Sequence, residues 1–270
     1  MSESDAKFVG AIPEIYDSLM VPLMFQPFAE DMAARVAVLN PGTILETAAG
    51  SGVVTRVLAP LLRPQVRYVV SDLNPPMLER ARARQPQDER IEWATADAQN
   101  LPFEEDVFDV LFCQFGIMFF PDKRRGLAEA RRVLKPGAPF IFNVWDQLAH
   151  NPVSEVVGDV VAGHFGSENS DFFRRVPFGY HDRNRITADL TEAGFSNVKI
   201  EALTRTGRAE SARAAAVALV QGTPVRMEIV GRNPEDLAVV TEAAETALRR
   251  RFGDGPFSAS LQALVVVASA

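Results

Sequence analysis

The chain has 270 residues, 47% of them hydrophobic and 23% charged, with a formal net charge of −7, which suits a globular protein able to bury one large α/β core. The acidic surplus argues against nucleic acid, whose binding needs phosphate-neutralising Lys and Arg. The apolar runs (264–268 is one) fall far short of the ~20 residues of a membrane helix, so no membrane partner is expected.

The start, Met1-Ser2-Glu3-Ser4-Asp5, lacks the basic region of a secretory signal. A single cysteine, Cys113, rules out an intrachain disulfide, and a cytoplasmic location is expected. The basic clusters 123–125, 131–132 and 249–251 fall on helical patterns and read as solvated faces, leaving a small molecule as the expected partner. Neither composition nor pattern speaks to the oligomeric state.

In chain order, residues 1–40 predict a lid and a helix. Residues 8–27 mix aromatics with three prolines and read as a packed irregular lid. Phe28, Met32, Val36 and Leu39 then recur at helical spacing up to Asn40-Pro41-Gly42. Residues 41–147 alternate short apolar runs with helical patterns, the signature of a parallel sheet. Strands are predicted at 43–47, 66–71, 91–95, 107–113 and 138–145, with helices at 53–62, 75–84 and 124–134. Asn74 before Pro75 reads as an N-cap, and Pro136-Gly137 as a helix terminator. Residues 148–270 hold an insert with weak periodicity (150–180), a helix at 182–193, a strand at 195–203, helical residues over 209–232 and a helix at 233–252 capped by Asn233. An apolar final strand covers 258–268. The expectation is one Rossmann-like, seven-stranded, mostly parallel sheet with helices on both faces, an N-terminal lid and a helical insert.

Three corners carry chemistry. Residues 44–52, Ile-Leu-Glu-Thr-Ala-Ala-Gly-Ser-Gly, run a strand into a small-residue turn that lets a backbone approach a ligand, with a helix N-terminus behind it. Asp72 follows the second strand, where a carboxylate can accept both ribose hydroxyls of a nucleoside. Asp97 follows the third strand and can accept from an adenine amino group. All three lie at carboxyl ends of strands, the edge where α/β sheets bind ligands.

With Leu101-Pro102-Phe103, Phe108-Asp109-Val110 and the run Arg131 to Gly137, these residues resemble class I S-adenosylmethionine-dependent methyltransferases. The likeness is to the branch that includes ubiquinone and menaquinone biosynthesis methyltransferases; it is strongest over 40–146 and departs where the first glycine of the turn is Ala48. The resemblance implies S-adenosylmethionine as cofactor. Glu46, Ala48 and Gly50 would line its methionine part, and Asp72 with Leu73 would hold the ribose. Asp97 and Ala98 would hold the adenine, with Met77 packed on it. Gln114 and Phe115 would cover the sulfonium, and Tyr16 in the lid would reach the cofactor carboxylate. The acceptor pocket is expected from the lid, residues 147–180 and residues 209–232, where Phe165, Phe172, Phe173, Phe178, Tyr180, Met227 and Ile229 offer apolar surface to a small, aromatic or lipophilic acceptor methylated by in-line transfer.

A general base, if used, is expected at His150, after the fifth strand. One Cys and scattered His give no metal constellation. Two rivals share parts of the pattern: an NAD(P)-dependent oxidoreductase, against which Thr55 stands in place of a third glycine, and a non-catalytic S-adenosylmethionine-binding protein.

Overall fold

The computed structural model of the chain describes residues 3–166 and 171–270; the first two residues of the predicted lid and residues 167–170 of the insert lie outside them. Seven strands form one sheet: β1 (Thr43–Glu46), β2 (Arg67–Asp72), β3 (Ile91–Thr95), β4 (Val110–Gln114), β5 (Pro139–Trp145), β6 (Ser196–Ala209) and β7 (Phe257–Ser269). Their order is β3-β2-β1-β4-β5-β7-β6. Strands β1 to β5 pair in parallel, while β7 runs antiparallel to both β5 and β6. The Rossmann-like, mostly parallel sheet read from the sequence is therefore the fold. β1, β4 and β5 are buried along almost their whole length, as central strands covered on both faces must be.

The helices are α1 (Ile12–Ile15), α2 (Gln26–Ala37), α3 (Val53–Leu58), α4 (Pro75–Arg84), α5 (Lys123–Val133), α6 (Pro152–Phe165), α7 (Phe172–Arg175), α8 (Arg183–Glu192), α9 (Ala212–Gln221), α10 (Val225–Arg232) and α11 (Asp236–Phe252). Around the sheet α2 packs with α3 and α5 with α8, while α6, α9 and α11 pack on one another and α9 meets the lid. The direction of strand order reverses between β1 and β4. That switch point opens a crevice at their carboxyl ends.

Several boundaries differ from the sequence reading, each for a local reason. The lid is helical, not irregular: α1 continues into a π-helical stretch, Tyr16–Phe25. Pro13 and Pro27 occupy first-turn positions, where no amide donor is needed. Pro22 sits inside the π-helical stretch, whose wider i→i+5 pattern departs from the ladder that a proline would break. The insert is also helical, as α6 and α7. Asn74 does precede α4, but its side chain caps nothing there. Its carbonyl oxygen accepts the Phe8 N–H and its amide donates to the Ala6 carbonyl, tying the lid to the β2 corner. Asn233 accepts from Glu235 N–H in a turn, so α11 starts at Asp236. β4 starts three residues later than expected because the Asp109 carboxylate accepts the Gly42 and Thr43 N–H groups, both at 2.8 Å.

Candidate cofactor and acceptor cleft

β1 ends at Glu46, and the chain turns sharply over the next six residues. Ala48, Gly50 and Gly52 all have positive φ, at 52°, 59° and 77°. Glycine is needed at the last of these for space as well, since a Cβ on Gly52 would lie 2.9 Å from that of Ala81 on α4. The turn is held from the neighbouring corner: the Asp72 carboxylate accepts the Gly50 N–H at 2.8 Å and the Asn74 N–H at 2.7 Å. Burial pushes the Asp72 carboxyl above the usual carboxylate range, and these N–H donors pull it back. Asp97 closes its own turn by accepting the Gln99 N–H at 2.9 Å and stays half-buried.

The fourth corner is built on the other side of the switch point. Phe115 adopts a left-handed φ of 51°, held by its N–H donating to the Asn143 side chain of β5 at 2.9 Å. Its ring stacks on Trp145 with centroids 4.0 Å apart. The next residue must be glycine for steric reasons alone: a Cβ on Gly116 would fall 2.5 Å from that of Ala48 and 2.6 Å from the Cys113 sulfur. The turns after β1 and β4 thus touch.

These corners and the lid enclose one cleft, with about 1070 Å³ of space between protein atoms including its mouth. At one end it is lined by Ala48, Gly50, Asp72, Leu73, Met77, Asp97 and Ala98; Gln114 and Phe115 stand at its middle, and Tyr16 closes it from the lid. Tyr16 stacks on Phe25 at 5.0 Å and lies over Gly50. Burial, then the charges of Asp72 and Asp17, push its phenol far above the ordinary range, so it stays protonated. At the other end the walls are Met20, Met24, Trp145, Phe172, Phe173 and Leu219. Among the described residues, Asp72 and Asp97 are the charged ones of the lining, with no Lys, Arg or His. Two buried oxygens in the walls, Gln114 Oε1 and Ser154 Oγ, have no hydrogen-bond partner.

Two expected site residues do not line the cleft. Glu46 is buried beneath the first turn, where its carboxylate accepts from Tyr68 and, at 2.7 Å, from Thr55. Burial raises its carboxyl to about 7 against the pull of those two donors. His150 stands outside on a half-exposed turn, 3.6 Å from Asp146. His181 bonds the Phe178 carbonyl and His164 faces Asp236 at 3.5 Å, so no histidine of the chain reaches the cleft. The sequence reading also missed Asp17, whose fully buried carboxylate gathers Arg56 (3.2 Å), Arg80 (2.9 Å) and Arg84 (3.4 Å), fastening the lid to α3 and α4. An acid inside an apolar run was the available signal. Nothing in the sequence marks Gly116 or Asn143.

Comparison with known proteins agrees with this geometry. Residues 45–142 match a family model described as a methyltransferase domain. The chain is 40% identical over 99 residues to a demethylmenaquinone methyltransferase of Clavibacter sepedonicus, covering 37% of this chain and 39% of that one. It is 31% identical over 179 residues to the mitochondrial 2-methoxy-6-polyprenyl-1,4-benzoquinol methylase of Caenorhabditis elegans, covering 59% and 60%. The matches thus span less than two thirds of these relatives' own length. Among solved structures, the Haemonchus contortus phosphoethanolamine N-methyltransferase 2 in complex with S-adenosyl-L-methionine shares the fold. There the TM-score is 0.57 and the identity 16%, over 96% of this chain and 56% of that one. Residues 45–142 are thus similar to a methyltransferase domain, and the chain shares the Rossmann-like fold of a solved methyltransferase.

Proposed function

We propose that the protein is an S-adenosylmethionine-dependent methyltransferase whose acceptor is a small lipophilic aromatic molecule of the quinol kind. One observation carries the reading: four strand-end corners converge on a single cleft that is acidic and polar at one end and aromatic at the other. The residues fit the cofactor. Asp72 and Asp97 supply acceptors for hydroxyl and amino groups, and no Cβ blocks the cleft at Gly50. The buried, partnerless Gln114 Oε1 offers an acceptor to an ammonium group. The rings of Tyr16 and Phe115 offer faces to a cation. The relatives named for demethylmenaquinone and a polyprenyl benzoquinol supply the acceptor class.

The bound cofactor would supply the transferable methyl group on an electrophilic sulfur. The chain's own part is positional. Asp72, Leu73, Met77, Asp97 and Ala98 hold one end of the cofactor, and Ala48, Gly50, Gln114, Phe115 and the protonated Tyr16 hold the other; Glu46 supports the turn from beneath. Aligning the acceptor within ~3–3.5 Å of the methyl can contribute about 7–11 kcal/mol of barrier lowering, and the aromatic walls exclude water. A dinucleotide cofactor is disfavoured because the Thr55 hydroxyl, where the third glycine would be, is engaged by Glu46. Among the described residues no helix is long and apolar enough to cross a membrane, and a single, buried Cys113 suits a cytoplasmic setting.

The test is calorimetric binding of S-adenosylhomocysteine, followed by transfer of labelled methyl to quinols, phenols and small polar acids. Cofactor binding with turnover of the aromatic acceptors is expected. Turnover of polar acids alone would defeat the acceptor class, and absence of cofactor binding would defeat the whole reading.

A further inference from the structure

The aromatic end of the cleft contains one polar group that the packing leaves unexplained. Ser154 lines the cleft in the first turn of α6, is fully buried, and its hydroxyl finds no hydrogen-bond partner. In the first turn the carbonyls three and four residues back precede the helix, and the hydroxyl bonds neither. Buried hydroxyls are almost always satisfied, so a persistent orphan calls for a partner that arrives from elsewhere.

The surroundings limit what that partner can be. Asn151 bolts the start of α6 to β7: its side chain accepts the Gln262 N–H at 3.0 Å and donates to the Gln262 carbonyl at 3.1 Å. The first turn of α6 therefore has a fixed position, and no side chain caps its N–H groups. Its positive dipole end favours an oxygen carrying partial or full negative charge. The lining around it is Trp145, Phe172, Phe173 and Leu219, with no cation. A flat apolar ring carrying one oxygen matches this set of walls; a multiply charged anion has nothing to meet there.

We propose that Ser154 is the specificity-determining residue of the acceptor subsite, and that it donates a hydrogen bond to a hydroxyl or phenolate oxygen on the ring of the acceptor. This deepens the proposed function and rests on it. The serine holds the ring in one in-plane orientation, which selects the ring position presented for methylation. Hydrocarbon walls alone would let the ring rotate.

The experiment compares 2-naphthol with 2-methylnaphthalene, which has a methyl group in place of the hydroxyl, as ligands of the full chain saturated with S-adenosylhomocysteine. Fluorescence titration gives both dissociation constants for wild type and for Ser154→Ala. The wild type is expected to prefer the naphthol by about tenfold, the scale of one net hydrogen bond. In Ser154→Ala the preference should shrink to within about twofold, with the affinity for S-adenosylhomocysteine unchanged. A preference that survives the substitution, or a wild type that does not distinguish the two rings, overturns the assignment. A melting temperature that shifts while the preference stays means that an internal water was the partner, and overturns it equally. Failure of the wild type to bind S-adenosylhomocysteine strikes the parent reading instead.

Discussion

The two ends of the cleft are built by different means. The cofactor end is made of backbone: strand ends, left-handed turns and short polar side chains that close those turns, as Asp72 does with Gly50 and Asn74. The acceptor end is made of side chains, chiefly aromatic, contributed by the lid, β5 and the α6–α7 insert. A backbone-built site depends on a few residue types at fixed corners and tolerates almost no change there. A side-chain-built site can be reshaped by exchanging one ring for another without touching the fold.

The largest expected effect tests whether the two ends are mechanically joined. Asp17 lies in the lid beside Tyr16, and its carboxylate faces Arg56, Arg80 and Arg84 of the cofactor end. Asp17→Asn keeps the shape but leaves three guanidinium groups facing one another around a buried site. Breaking such a cluster from one side costs about 3–5 kcal/mol. Chemical denaturation should show a loss of that size, and cofactor affinity should fall with it because Tyr16 loses its footing. A loss below 1 kcal/mol would mean that the lid stands on aromatic packing alone.

The next effect is confined to the cofactor end and is read through pH. Burial raises the Glu46 carboxyl to about 7 in the folded chain, against roughly 4.3 when unfolded. Between those values the folded state holds a proton that the unfolded state releases, so stability declines as pH rises through the window and is greatest below it. A gap of that width corresponds to about 4 kcal/mol. Glu46→Gln should flatten the decline, measured as midpoint against pH from 4 to 8, leaving only the part that Asp72, also raised, contributes. An unchanged slope would place the titration elsewhere.

Asp72→Ala separates the two ends more gently. It removes the acceptor expected for the ribose and releases the Gly50 N–H, so affinity for S-adenosylhomocysteine should drop by about 100-fold, the scale of charge-assisted hydrogen bonds. Binding of 2-naphthol should change by no more than about threefold, because the aromatic walls do not touch Asp72. Equal losses for both ligands would show one cooperative cleft and erase the distinction.

The difference in construction also explains what the sequence disclosed. Backbone corners leave residue-type traces at predictable places: Gly50 and Gly52 after β1, Asp72 after β2, Asp97 after β3. The central strands were readable for the same reason, since buried apolar runs bounded by turn residues admit few alternatives. The acceptor end left only a coarse trace, phenylalanine-rich segments without a mark on which rings face a cavity. Phe172, Phe173 and Trp145 look identical on paper whether they pack a core or line a cavity. The prolines of the lid announce irregularity unless one knows that each falls where a helix tolerates it. Glu46 is placed along the cofactor by the resemblance alone. Its partnership with Tyr68 and Thr55 instead draws it beneath the turn, and pairings between side chains distant in sequence are invisible without the fold.

The smallest expected effect addresses the one departure from the glycine pattern, Ala48. Its φ of 52° costs a non-glycine residue about 1–2 kcal/mol, and Ala48→Gly would relieve this while loosening the unfolded chain by about 0.4–1 kcal/mol. The net gain is therefore at most about 1.6 kcal/mol. The informative measurement is the coupling with Gly116, where an added Cβ would press on both the Ala48 methyl at 2.5 Å and the Cys113 sulfur at 2.6 Å. Gly116→Ala alone should destabilise by about 1–3 kcal/mol through overpacking. In Ala48→Gly/Gly116→Ala one of the two collisions is gone, so the double variant should be more stable than the sum of the single changes by at least 0.5 kcal/mol, the lower range for residues in contact. Additivity would mean that the turns after β1 and β4 can slide apart, and the backbone-built end would then be as adaptable as the aromatic one.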